Sequence, residues 1–180
     1  MTEDELNPRD KTICIAGLVP DSIVDGPGIR CAIFCQGCAH RCPGCHNPQT
    51  HDFCGGTEYT VAQLLAFVQK NPLCRGVTFS GGDPMYQPEG FAELAREIRR
   101  RTPEKDIWCY TGFTFEQLVN NPRQRALLEL VDVLVDGPFI KAQRDESLLF
   151  RGSRNQRLVD VQPSLQQGRV ILYQDYRTGL

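Results

Sequence analysis

The chain has 180 residues, which is enough for one domain with a substantial core. Its 41% hydrophobic and 23% charged residues are typical of a folded protein, and a formal net charge of −2 argues against a general nucleic-acid-binding surface. No apolar stretch is long enough to cross a membrane, and Met1–Lys11 has no signal-peptide pattern. We therefore expect a cytoplasmic protein that binds neither membranes nor nucleic acids.

The predicted elements alternate between strands and helices. Thr60 and Thr114 each open a helix with a capping box, because a glutamine follows three residues later. In chain order the predictions are a strand at Thr12–Val19, a strand at Ile29–Cys35, a helix from Thr60, a strand at Gly76–Phe79, a helix at Pro88–Arg101, a strand at Asp106–Tyr110, a helix from Thr114, a helix from Pro122 to Leu130, a strand at Val133–Val135, and strands near Arg157–Asp160 and Val170–Tyr173. This alternation predicts an α/β fold with a parallel sheet and helical crossovers.

The length limits the kind of α/β fold. A complete eight-fold βα barrel typically needs roughly 200 residues or more. We therefore expect a single domain over residues 1–180, with residues 1–11 a loose extension, folded as a partial, incomplete βα barrel or a small doubly wound sheet. Ligands bind at the carboxyl ends of the strands in both folds. Unusual loops follow four predicted strands at that rim: the cysteine-rich loop after Cys35, Ser80–Pro84, Thr111–Phe113 and Asp136–Pro138.

The nine cysteines are unevenly distributed along the chain. Their number is odd, and in a reducing compartment a cluster of cysteines indicates a metal or redox site more often than disulfides. Five of them lie within fifteen residues: Cys31, Cys35, Cys38, Cys42 and Cys45. The other four are scattered and receive no predicted role: Cys14, Cys54, Cys74 and Cys109.

The clustered cysteines contain the spacing C-x3-C-x2-C twice, as 31/35/38 and as 38/42/45. Cys31 and Cys35 belong to an apolar strand, where a buried cysteine acts as a small hydrophobic residue. Cys38, Cys42 and Cys45 lie in a polar sequence with proline and glycine that can wrap around a cluster. We favour the second triplet as the ligand set.

Three thiolates leave one iron of a 4Fe–4S cluster open for a substrate, by the logic that separates catalytic from structural metal sites. An alternative is a zinc site made of two C-x2-C pairs, which His40, His46 or His51 would complete. The two pairs are separated by only three residues, which is short for a zinc module.

The sequence resembles the radical S-adenosylmethionine enzymes, and among them the glycyl radical activases that serve anaerobic ribonucleoside-triphosphate reductase. The resemblance covers roughly residues 23–157. The segments that carry it are Asp25–Cys31 (DGPGIRC), Gly37–Gln49 (GCAHRCPGCHNPQ), Ser80–Pro84 (SGGDP), Asp106–Thr114 (DIWCYTGFT), Val133–Ile140 (VLVDGPFI) and Arg151–Gln156 (RGSRNQ). The chain departs from the family at His46, where an aromatic residue is common, and at Cys35, where small or polar residues are usual.

The resemblance implies a partial βα barrel of the radical S-adenosylmethionine type with two cofactors. Cys38, Cys42 and Cys45 would hold a 4Fe–4S cluster, and S-adenosylmethionine would chelate its open iron. The loop of Ser80, Gly81, Gly82 and Asp83 would bind the methionyl amino group of S-adenosylmethionine, and Gly44, Cys45 and His46 would lie on the adenine side.

The implied activity is reductive cleavage of S-adenosylmethionine and abstraction of a hydrogen from a glycine. The implied partners are the large catalytic subunit of anaerobic ribonucleoside-triphosphate reductase and a low-potential electron donor of the flavodoxin or ferredoxin type. Two alternatives stay open. One is an activase of another glycyl radical enzyme, such as pyruvate formate-lyase, and the other is a non-catalytic iron–sulfur or zinc binding module.

Four further residues are predicted to contact the substrate: Asp25, Arg30, Asp136 and Arg151. Asp25 and Arg30 flank a Gly-Pro-Gly turn, for which a surface ion pair is an equally good interpretation. Asp136 ends a strand and either binds a ligand or caps the turn that follows. Arg151 opens the Arg151–Gln156 segment, for which the sequence suggests recognition without a mechanism.

Overall fold

The computed structural model describes residues 10–174. Most of the predicted N-terminal extension, residues 1–9, therefore lies outside the described residues. The described strands form one seven-stranded sheet in the order β3-β1-β2-β4-β5-β6-β7. The strands are β1 (Thr12–Ser22), β2 (Arg30–Cys35), β3 (Thr57–Thr60), β4 (Gly76–Gly81), β5 (Asp106–Tyr110), β6 (Val133–Asp136) and β7 (Arg157–Asp160).

Five α-helices connect or follow these strands: α1 (Val61–Gln69), α2 (Pro88–Arg101), α3 (Phe115–Val119), α4 (Pro122–Leu128) and α5 (Val161–Gln167). The two predicted capping boxes are confirmed. The hydroxyls of Thr60 and Thr114 each accept a hydrogen bond from the backbone N–H of the N3 glutamine, and the backbone N–H of each threonine donates to the side chain of that glutamine. The predicted α/β class is confirmed as a mixed fold.

The sheet is mixed rather than wholly parallel. Strands β2, β4, β5 and β6 run parallel, whereas β1 and β3 on one side and β7 on the other pair in antiparallel fashion. The short Gly-Pro-Gly connection reverses the chain between β1 and β2, because a parallel pairing needs a much longer crossover. The predicted strand at Val170–Tyr173 was wrong: only an isolated bridge pairs Leu172 with Val159.

Alternation along the parallel strands separates two faces of the sheet. On β2, Ile33 and Cys35 point to the main apolar core and are fully buried, as are Val77 and Phe79 on the neighbouring strand β4. The main core also contains the apolar faces of α1 and α2, so these helices cover this side of the sheet. Ile33 and Cys35 therefore share one face of β2.

The opposite face of the sheet carries a second, smaller cluster. Trp108, Val133 and Val135 are buried there against Phe150. The large polar side chain of Arg30 also lies on this face. The outer part of the same face of the sheet opens into the cavity described below. Within residues 10–174, no helix is both long enough and apolar enough to cross a membrane.

Candidate active site

A cavity of about 530 Å³ lies at the carboxyl ends of the parallel strands. This volume is within the usual range for small-molecule sites. Loops after β2, β4, β5 and β6 all contribute to its lining, including Cys38, Ser80, Thr111 and Gly137. The sequence-based expectation of four special loops at one rim is therefore confirmed.

The cysteines of the second triplet come together in this cavity. Cys38, Cys42 and Cys45 all line it, whereas Cys31 and Cys35 are fully buried within β2 and do not. Backbone N–H groups of His40 and Arg41 donate hydrogen bonds to the Cys38 sulfur, and these oppose the effect of burial, which raises the pKa of that thiol. Such amide contacts to sulfur are typical of iron–sulfur sites.

The polypeptide wraps tightly around these thiols. The backbone N–H of Asn47 lies 3.4 Å from the Cys45 sulfur, and the backbone N–H of Cys45 donates to the carbonyl of Cys42 at 3.0 Å. Arg41 takes a positive φ of 46° between two of the cysteines. Non-glycine residues adopt this conformation infrequently, and here it turns the chain back toward the cavity.

The cavity supplies the donors that an iron–sulfur cluster requires. Three thiols share one cavity, and at least two of their sulfurs receive backbone hydrogen bonds. Among residues 10–174, no three histidine, cysteine or acidic side chains converge closely enough to hold one ion.

The glycines of the Ser80–Pro84 loop are required by the packing of two loops. A Cβ atom on Gly82 would lie 2.5 Å from the carbonyl oxygen of Gly37, and one on Gly81 would lie 2.6 Å from the backbone nitrogen of Cys35. Gly81 also has a φ of +97°, which favours glycine. Ser80, Gly81 and Gly82 line the cavity, so their backbone is exposed to a ligand there.

Asp83 lies behind the cavity wall and does not line it. Its carboxylate is 1% exposed and accepts hydrogen bonds from the backbone of Met85 and Gly112 and from the hydroxyl of Thr111. The Nε2 atom of His40 lies 2.9 Å from the same carboxylate. The structure thus gives Asp83 a different role from the predicted contact with the cofactor's amino group.

Only some of the residues predicted to lie on the adenine side of the cavity do line it. Cys45 and His46 line the cavity, whereas Gly44 does not. The ring of His46 contacts Phe139 at a centroid distance of 5.3 Å, and a Cβ on Gly152 would lie 3.3 Å from the same imidazole. His46 is therefore held against the loops that follow β6.

Two of the four predicted substrate residues border the cavity. Asp25 lines it and accepts a hydrogen bond from Ser22 at 2.5 Å. Arg151 also lines it, donates to the carbonyl of Gln156, and keeps a buried Nε without a hydrogen-bond partner. Both residues remain available for a ligand.

Arg30 is enclosed in the protein framework, and we correct its prediction as a substrate residue. It is 0% exposed, pairs with Asp106 at 2.7 Å, donates to the hydroxyl of Thr78 and stacks over the ring of Trp108. The alternative interpretation as a surface ion pair is wrong for the same reason. With its guanidinium occupied by these partners and no exposed surface, Arg30 cannot contact a substrate.

Asp136 is likewise a structural residue, and its prediction as a ligand contact is corrected. The carboxylate is 1% exposed, accepts a hydrogen bond from the backbone N–H of Phe115 and pairs with Arg157 at 2.5 Å. It therefore joins the start of α3 to strand β7. The alternative that Asp136 caps the turn after β6 is not what these contacts show, because both partners come from other elements.

The four scattered cysteines are outside the cavity. Cys109 is fully buried in the main core, and Cys54 is exposed. Cys74 is buried with its sulfur 3.1 Å from that of Cys31, and Cys14 donates to the carbonyl of Gly55. None of them lines the cavity.

Several lining residues were missed in the sequence because nothing local identifies them. These residues come mainly from the loops around the rim: Val24, Phe34, Asn47, Tyr110, Phe139, Leu148, Phe150 and Gln156. Phe34 and Tyr110 could have been found from the alternation of side chains along a strand. Both point to the face opposite the main core, whereas their neighbours on the strand point into that core.

The fold and the thiol-lined cavity agree with a family comparison. The 4Fe-4S single cluster domain matches residues 24–159, which include every cavity-lining residue. The molecule is thus an α/β protein with an iron–sulfur cluster domain.

Relatives of known name define the family more closely. The chain is 41% identical over 143 residues to the anaerobic ribonucleoside-triphosphate reductase-activating protein of Vibrio cholerae, covering 76% of this chain and 91% of that protein. The proteins of the same name from Escherichia coli K12 and phage T4 are 40% and 39% identical, covering 76% and 78% of this chain and 92% and 90% of their own lengths. The chain belongs to the family of anaerobic ribonucleoside-triphosphate reductase-activating proteins.

Proposed function

We propose that this protein is a radical S-adenosylmethionine activase that generates the glycyl radical of an anaerobic ribonucleoside-triphosphate reductase. The observation that carries the proposal is the meeting of Cys38, Cys42 and Cys45 with the Ser80–Gly82 backbone in one cavity. The first group supplies three thiols for a cluster, and the second offers carbonyl groups for an ammonium ligand. The family relationship identifies the reductase as the partner.

Each part of the cavity has a distinct task in this proposal. The three thiols hold the cluster as thiolates, which hydrogen bonds from nearby backbone N–H groups stabilise. The close approach of Gly82 to Gly37, at the start of the cysteine loop, supports a position for the amino group of S-adenosylmethionine beside the cluster. A bound and reduced cluster would supply the electron for reductive cleavage of S-adenosylmethionine, and so the means to remove a hydrogen atom from the glycine.

The polar residues at the rim would contact the substrate polypeptide or the cofactor carboxylate. Arg151 presents a cation to the cavity, and Asp25 presents an anion near the exposed side chains of Ile23 and Val24. Since Asp25 follows these exposed apolar residues directly, the Ile23–Asp25 segment provides both apolar and charged contacts for a protein substrate.

The proposal also includes finer features of the family. The sheet would be an incomplete βα barrel, with the cavity on its concave side and the helices α1 and α2 outside. The electron would come from a low-potential flavodoxin or ferredoxin, and the protein would act in the cytoplasm. The placement of the cavity at the carboxyl ends of the parallel strands supports the barrel.

An anaerobic assay with purified components tests the proposal. Reconstituted and reduced protein is incubated with S-adenosylmethionine and either the reductase catalytic subunit or pyruvate formate-lyase. The expected result is release of 5′-deoxyadenosine and an electron paramagnetic resonance signal of a glycyl radical in the reductase alone. A reductase with alanine in place of its radical glycine is the control for the radical signal.

The other outcomes discriminate between the alternatives. A radical in pyruvate formate-lyase alone would assign the protein to a different glycyl radical enzyme. Iron and sulfide without cleavage of S-adenosylmethionine would indicate a non-catalytic iron–sulfur module, and zinc without sulfide would indicate a zinc module. Each of these results would contradict the proposed function.

A further inference from the structure

We propose that His40 is a positioning residue that fixes the cysteine loop relative to the Ser80–Pro84 loop. This inference rests on the proposed function, in which the first loop holds the cluster and the second holds S-adenosylmethionine. His40 lies between the cluster cysteines Cys38 and Cys42, and its imidazole reaches the carboxylate of Asp83 at 2.9 Å. The contact joins residues 43 positions apart in the chain.

Asp83 is a rigid anchor for this contact. One carboxylate oxygen accepts a hydrogen bond from the backbone N–H of Met85 at 2.9 Å, and the other accepts from Thr111 Oγ1 and from the backbone N–H of Gly112, also at 2.9 Å. With three donors in addition to His40 and almost no exposure, the carboxylate has a single position. It thereby connects the loops after β4 and β5.

The imidazole of His40 is also held by its surroundings. Its ring contacts Phe113 edge to face at a centroid distance of 4.6 Å and Tyr86 at 5.6 Å. A Cβ atom on Gly112 would lie 2.4 Å from the ring, so glycine at that position makes room for the histidine. A side chain enclosed in this way loses little freedom when it forms its hydrogen bond.

The backbone hydrogen bonds between the Ser80–Pro84 loop and the cysteine segment lie at the start of that segment. The N–H of Asp83 donates to the carbonyl of Gly37 at 3.0 Å, and the N–H of Gly82 donates to the carbonyl of Cys35 at 2.8 Å. These bonds precede the first ligand cysteine, whereas the His40 contact acts inside the ligand sequence itself. His40 therefore sets the position of the ligand cysteines relative to the cofactor loop.

The variants that test this inference are His40→Ala and His40→Gln, with His51→Ala as the matched control. Glutamine keeps an N–H group that can donate to Asp83. His51 follows the same cysteine loop, but its buried Nε2 has no hydrogen-bond partner. The measurements are iron and sulfide content, the dissociation constant of S-adenosylmethionine, and hydrogen exchange of residues 38–46 in the cluster-free protein.

We expect His40→Ala to keep its iron and sulfide but to bind S-adenosylmethionine about tenfold more weakly, as for the loss of one charge-assisted hydrogen bond. Residues 38–46 should exchange faster in the cluster-free protein. His40→Gln should recover most of the affinity, and His51→Ala should resemble the wild type in both measurements.

Two results would overturn the inference. One is wild-type affinity and hydrogen exchange in His40→Ala, and the other is an equal effect in His40→Ala and His51→Ala, which would indicate general destabilisation. Failure of the proposed function is distinguishable, because the wild type itself would then fail to cleave S-adenosylmethionine. The hydrogen exchange of the cluster-free variants would still report whether His40 holds the loop.

Discussion

The two cysteine triplets have the same spacing and different surroundings. In the first, Cys31 and Cys35 lie on strand β2 and are fully buried. In the second, Cys42 and Cys45 lie in the loop after that strand and border the cavity together with Cys38, which both triplets share. The comparison teaches that spacing alone does not define a ligand set. A strand holds its sulfurs in the core, whereas a loop can gather them around a cluster.

The largest effect should follow from loss of a cavity cysteine. Cys42→Ala should reduce 5′-deoxyadenosine release to the background level, because a cluster with two thiolates is not held for catalysis. The exposed Cys54 provides the control, and Cys54→Ala should keep full activity. Substantial turnover by Cys42→Ala would remove the distinction between the two triplets.

A second prediction concerns the contact between the loops. Gly82→Ala should lower the free energy of unfolding by about 2 kcal/mol, because its Cβ would meet the carbonyl oxygen of Gly37 at 2.5 Å. It should also weaken binding of S-adenosylmethionine. Gly17→Ala is the matched control, since its Cβ would have no neighbour within 4 Å.

Urea denaturation of the cluster-free variants measures both glycine substitutions. Wild-type stability in Gly82→Ala would show that the two loops are not in close contact.

A strand cysteine should affect stability and leave the cluster in place. Cys35→Ala removes a fully buried sulfur from the main core, so we expect a loss of about 1–2 kcal/mol in the free energy of unfolding. Iron and sulfide content should equal that of the wild type. Loss of the cluster with unchanged stability would reverse the assignment of the triplets.

A further prediction concerns the dependence of stability on pH. Burial raises the pKa of Cys31 to about 12 from an ordinary value of 9.0. Between these values the unfolded chain loses the thiol proton while the folded protein keeps it, so the free energy of unfolding should fall as the pH rises through this window. The slope should be smaller in Cys31→Ala, and an equal slope in both proteins would contradict the prediction.

Parts of the fold that depend on local patterns were predictable. The apolar alternation of β2 correctly placed Cys31 and Cys35 in the core, and the capping boxes located the starts of α1 and α3. The loops after the parallel strands identified the rim of the cavity, because turn-forming residues interrupt apolar strands there. These features need only neighbouring residues to be recognised.

Features that depend on distant partners were not predictable. Strand β3 was missed because its sequence, TEYT, is polar and exists as a strand only through pairing with β1. Arg30 was expected near the surface, yet Asp106 and Thr78 from other strands enclose it. Asp83 was expected to face the cofactor, whereas its partner His40 comes from a different loop.

The most direct test of the account compares iron and sulfide in Cys31→Ala and Cys45→Ala after anaerobic reconstitution, with circular dichroism to verify that both are folded. The account predicts about four iron and four sulfide per chain in Cys31→Ala, as in a complete 4Fe–4S cluster, and almost none in Cys45→Ala. A cluster retained in Cys45→Ala and lost in Cys31→Ala would contradict it.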